Sequence, residues 1–128
     1  MFEARRRIAA AALLLGVAAA SPARAQSQLD LDQAAGAKFR AADKALNLAY
    51  DKLLDKISSA GQKGLIGAQR IWIRFRDEEC DFETMGSLGG SVHSMAVTVC
   101  RTRLTRARIA DIEAQINCRE GDMTCGAQ

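Results

Sequence analysis

Apolar residues recur along this chain at intervals of three and four, the spacing of one face of an α-helix rather than the alternation of a strand. Between Asp30 and Ala60 they fall at Phe39, Ala42, Leu46, Tyr50, Leu53 and Ile57, which predicts an amphipathic first helix. Gly61 stands where a C-terminal cap belongs, with Gly64 in the connection that follows. A second helix is predicted from about Leu65 to Met85, with Leu65, Ala68, Trp72, Phe75 and Phe82 near its buried face. Three glycines within Gly86-Ser87-Leu88-Gly89-Gly90-Ser91 make further helix costly there, so the chain should turn. A third helix is expected from Ser91, a plausible N-cap, to about Asn117, with Val92, Met95 and Val99 on one side early and Ile109, Ile112 and Ile116 later. No strand pattern, internal repeat or low-complexity tract interrupts this series, and the fold class it predicts is all-α, a small three-helix up-down bundle.

The residues ahead of the first helix carry a different pattern. Arg5, Arg6 and Arg7 precede an apolar run from Ile8 to Ala20, and Ala23-Arg24-Ala25 offers a small-x-small cleavage site. Residues 1–25 are therefore expected to be a secretory signal peptide and residues 26–128 the helical domain. The apolar run is too short for a membrane-spanning helix, and no Cys follows the cleavage site to carry a lipid, so no membrane anchor is expected after cleavage. Cleavage also changes the charge. Removing Arg5, Arg6, Arg7 and Arg24 from eighteen basic residues, and Glu3 from fifteen acidic ones, leaves fourteen of each. The isoelectric point of 8.8 belongs to the precursor, and the neutral mature chain does not support a nucleic-acid or anionic-membrane partner.

All four cysteines, Cys80, Cys100, Cys118 and Cys125, lie after the cleavage site, and an even count in a small exported domain points to disulfides. Of the three connectivities, Cys80–Cys100 and Cys118–Cys125 is favoured. An antiparallel hairpin of the second and third helices places Cys80 and Cys100 at nearly equal distances from the turn, and the short tail closes locally. A zinc site is disfavoured because no Cys-x-x-Cys knuckle occurs. The same register sets the acidic run around Cys80 against the arginines that follow Cys100, with Asp77 expected closest to Arg103 in an ionic rim.

The segments ADKALNLAYDKL at 42–53, AQRIWIRFRDEEC at 68–80, GGS at 89–91, and Cys100 followed by RTRLTRARIADIEAQ together resemble the LprI-like lysozyme-inhibitor N-terminal domain family, over roughly Leu31 to Cys125. The resemblance implies a small all-helical envelope protein, periplasmic or secreted. For the branch that gives the family its name, it implies binding a host lysozyme and blocking peptidoglycan hydrolysis. The chain departs from the pattern at Ala35, about where many members carry an additional Cys, and in lacking the lipid-anchor Cys.

Two groups of residues are candidates for function. Asp43, Asn47, Gln69, Arg70, Trp72, Arg76 and Asp77 form either an internal polar network or a recognition surface. The network is favoured, because Asp43 and Asn47 share a helix face and buried polar groups need partners. Ser87, Gly89, Gly90, Ser91 and His93, in the exposed Gly86 to Ser94 loop, are the candidate partner contacts, with a plain connector as the alternative. No enzyme is expected, since no Gly-x-Ser-x-Gly elbow or His-Glu-x-x-His helix is present, and no cofactor is implied. The i,i+4 carboxylate pairs Asp77 with Asp81 and Glu79 with Glu83 read as solvated helix surface rather than a cation site. The function expected is an exported protein-binding module, foremost a lysozyme inhibitor. The alternative is a periplasmic interaction or envelope-stress protein with another partner.

Overall fold

A computed structural model describes residues 22–119 and 121–125. Helix α1 spans Pro22–Lys56, α2 spans Ser59–Glu83, a 3-10 turn covers Met85–Ser87, and α3 spans His93–Ile116. No strand occurs among the described residues. Most of the expected signal segment, residues 1–21, lies outside them, and the expected cleavage site falls in the first turn of α1.

The helices run up, down and up. Lys56 at the end of α1 donates to the carbonyl of Ile116 at the end of α3, so these two helices are parallel. The side-chain Nε2 of Gln62 donates to the Leu54 carbonyl at 2.8 Å across the first turn, and the Cys80–Cys100 bridge ties α2 back onto α3. The core is built mainly between α1 and α3: Leu46, Ala49, Leu53 and Ile57 pack with Ile112, and Tyr50, Leu65, Trp72, Ile109 and Ile116 close around them. Of these α1 positions, Leu46, Tyr50, Leu53 and Ile57 are ones the three-four spacing selects, while Ala49 joins them without having been singled out. Burying each such aliphatic side chain contributes roughly 1.5–3 kcal/mol.

Several expected boundaries move. Helices α1 and α2 are separated only by Ile57 and Ser58. Gly61 is not the C-terminal cap of α1: it lies in the first turn of α2, where its N–H donates to Ser58 Oγ at 3.2 Å. Serine is a strong N-cap because its oxygen satisfies an orphan helix N–H, and here that contact overrides the usual meaning of a nearby glycine. Gly64 is likewise helical rather than a connection. Ser91 does not cap α3; it sits in a turn closed by His93 N–H to Gly90 C=O at 3.2 Å, and the cap position, Val92, makes no side-chain bond. Phe75 and Phe82 are not on the buried face of α2 but exposed, the latter at 69%. At about 100° per residue both lie well to one side of the line through Leu65, Trp72 and Arg76 that meets the bundle.

Candidate functional site

Both expected disulfides are present, Cys80–Cys100 with a Cα separation of 5.6 Å and Cys118–Cys125 with 5.7 Å. Cys80 is fully buried, so the first bridge forms the inner seam of the α2–α3 hairpin.

Around this seam the charges sort by side. Asp77 lies 3.3 Å from Arg101 Nε, with Asp81 at 3.9 Å from the same guanidinium, while Arg103 Nη2 reaches Glu83 at 2.6 Å. The expected Asp77–Arg103 pairing is therefore replaced by Asp77–Arg101. Counting residues from the turn ignored helix rotation: at about 100° per residue, Asp77, Asp81 and Arg101 fall on one flank of the disulfide and Glu83 and Arg103 on the other. With three of the four carboxylates of the i,i+4 pairs engaged by guanidinium groups, this surface is an ion-pair rim. A group formed by Cys118, Asp122 and Cys125 has metal-like spacing, but both sulfurs are committed to a disulfide.

Just below the rim lies a cluster joining all three helices. Arg76, its side chain only 10% exposed, sits 5.4 Å from the Phe39 ring centroid and 5.3 Å from that of Trp72. Asp77 accepts from its Nε at 3.0 Å and lies 2.9 Å from its Nη2, and Asp43 stands farther off at 4.0 Å. The Arg108 guanidinium lies 5.8 Å from the Trp72 ring, and its Nε donates to buried Gln69 at 3.1 Å. The cluster thus gathers Asp43, Gln69, Trp72, Arg76 and Asp77 of the expected polar group. Asn47 and Arg70 stay outside it, exposed on the surface. It also recruits Phe39, Arg101 and Arg108, which the sequence reading assigned to apolar core or ionic rim. A planar guanidinium against aromatic faces is compatible with burial because ring electrons and a carboxylate replace its lost water.

The hairpin tip is a second distinct region. Gly89 takes φ +76°, a left-handed conformation that favours glycine. Ser87 Oγ donates to the Thr84 carbonyl at 2.8 Å and lies 2.9 Å from His93 Nδ1. Since the hydroxyl has a single proton and a carbonyl can only accept, Ser87 Oγ accepts from the imidazole N–H in this arrangement. The pair is a latch across the loop. Leu88, Gly89, Gly90 and Ser91 are exposed beyond it, and Glu78, Asp81, Phe82, Met85, Leu88 and His93 line an open cleft at its base.

Among the described residues no helix is long and apolar enough to cross a membrane. A family model described as lysozyme inhibitor LprI matches residues 18–112, beginning ahead of the motif-bearing region and ending before the Cys118–Cys125 loop. The chain is similar to an uncharacterized protein of Rhizobium meliloti (strain 1021), 35% identical over 137 residues that cover 89% of this chain and 99% of the relative. No solved structure matches. With the matched span containing the disulfide hairpin, the arginine cluster and the tip, the chain belongs to the lysozyme inhibitor LprI family.

Proposed function

We propose that this protein is exported with cleavage of residues 1–25 and acts in the periplasm or outside the cell as a lysozyme inhibitor, presenting the Gly86 to Ser94 hairpin tip to the enzyme's substrate cleft. The observation that carries the proposal is the construction of the tip. A small exposed loop is braced by a disulfide at its base and a Ser87–His93 latch across it, within a family described as lysozyme inhibitors. A preorganised loop loses little conformational entropy on binding, so its contacts convert more fully into affinity. Two disulfides favour an oxidising compartment, in keeping with export. The arginine cluster, being enclosed between helices, serves to hold the hairpin against α1 rather than to contact a partner.

The test is an inhibition titration of lysozyme on peptidoglycan, comparing the protein with a variant in which Gly89, Gly90 and Ser91 are replaced by alanines. Replacement should raise the half-inhibitory concentration at least about tenfold, equivalent to roughly 1.4 kcal/mol. Unchanged inhibition by the loop variant would remove the tip from the mechanism.

A further inference from the structure

We infer that the outer face of α2 is a self-association surface, on which a second copy of this chain docks antiparallel to the first. On this face Gly64, Ala68, Ile71, Phe75, Glu78 and Phe82 follow one another at alternating steps of four and three, the stripe that helices use to pair side by side. Ile71 is 71% exposed, Phe75 52% and Phe82 69%, and the line continues into exposed Met85 and Leu88. Three large apolar side chains exposed along one helix face, interrupted only by Glu78, make a patch of the kind that marks interaction surfaces.

The two ends of the stripe are complementary in shape. At the N-terminal end Gly61, Gly64 and Ala68 border an open groove of about 500 Å³ floored by Leu53, Ile57 and Leu65 and walled on the α3 side by Arg108, Asp111 and Gln115. A Cβ added at Gly64 would meet nothing within 4 Å, so the space is unfilled within the chain. At the C-terminal end Phe82, Met85 and Leu88 protrude. An antiparallel pair whose two-fold crosses α2 at the level of Arg76 and Asp77 sets Phe82 against the second copy's Ile71 and Met85 against its Ala68. Leu88 then falls at the second copy's groove, so the dimer withholds the hairpin tip and the monomer is the form that meets a lysozyme, and the same contacts repeat by symmetry.

Charge selects the same arrangement. Exposed Arg74 lies on the flank of the first half of the face, and exposed Glu78 lies in the second half. Antiparallel docking brings Arg74 close to Glu78 of the second copy, twice by symmetry. Parallel docking sets like charges together, which disfavours it. Glu78, the one charge within the apolar line, thereby acquires a partner.

Sedimentation velocity of the oxidised protein, expressed for export from its full reading frame, tests this with charge reversals. The native protein should sediment as a dimer at micromolar concentrations. Arg74→Glu and Glu78→Arg should each raise the dissociation constant about tenfold or more. The combined variant, which exchanges the charges and restores complementarity, should return it to within about twofold of the native value. Ala68→Trp, which fills the groove, should yield monomers whose helical circular dichroism is unchanged. A native protein that stays monomeric up to its solubility limit would overturn the inference, and so would a dimer indifferent to the single reversals.

Discussion

Arg76 bears a full charge in a nearly dry site, and its surroundings show how the chain tolerates it. Two aromatic rings flank the guanidinium and Asp77 neutralises it. Replacement by alanine should destabilise the fold by about 2 kcal/mol, less than for a fully buried pair because Asp77 and Asp43 are exposed enough to regain water. Lysine keeps the charge but lacks the flat face that stacks, so Arg76→Lys should cost about 1 kcal/mol. Urea midpoints of the two variants check both values. Thr105 has the opposite problem: it is fully buried, and its hydroxyl has no hydrogen-bond partner among the described residues. Thr105→Val keeps the shape and removes the orphan, and should raise stability by about 1 kcal/mol in the same measurement. At this scale the sequence showed which polar residues share helix faces. It could not show that Phe39, placed correctly by apolar spacing, would turn its ring to an arginine from another helix, because that contact is fixed by how α1 and α2 cross.

The α2–α3 hairpin is the element most legible in advance, since equal spacing of Cys80 and Cys100 from a glycine-rich turn defines an antiparallel register. What spacing alone omits is rotation about each helix axis, and hence Asp77 met Arg101 while Arg103 turned to Glu83. Gly61 misled at α2 and Ser91 at α3, where the Gly61 N–H donates to Ser58 Oγ and the His93 N–H to the Gly90 carbonyl at the points where winding begins. Replacing Cys80 and Cys100 together by alanine should lower stability by about 3 kcal/mol, the chain-entropy cost of releasing a loop of this length, read as a shift in urea midpoint. The tail loop carries a pH signature of its own. Thr124 donates to the Asp122 carboxylate from its hydroxyl at 2.7 Å and its backbone N–H at 2.9 Å, holding that carboxyl below its usual range, with the hydroxyl bond the larger cause. A carboxyl depressed by folding supports the turn above its unfolded value of about 3.9 and loses that support as pH falls through the lower folded value. The Thr124 amide resonance should therefore shift only in this acid window, and Asp122→Asn should abolish the shift.

At the scale of the whole molecule, one bundle holds an arginine cluster between its helices and positions two surfaces of different character, a latched hairpin tip and an apolar outer face on α2. The all-α class and both disulfides were legible because helical periodicity and cysteine count act locally. The outer face was not. Phe75 and Phe82 satisfy a helical apolar pattern equally well inside or outside, and only the placement of α2 against the other helices decides which. Neutrality after the expected cleavage also has a consequence. A neutral protein gains little long-range attraction to a charged partner, so the proposed inhibition rests on close contacts at a preorganised site.

The most direct test of the central claim is residual lysozyme activity on peptidoglycan as the oxidised protein is added to several lysozyme classes, with the reduced protein alongside. The proposed inhibitor role predicts stoichiometric inhibition of at least one class, lost or strongly weakened when the disulfide bracing the tip is reduced. Full lysozyme activity in every class at a large excess of oxidised protein would contradict it.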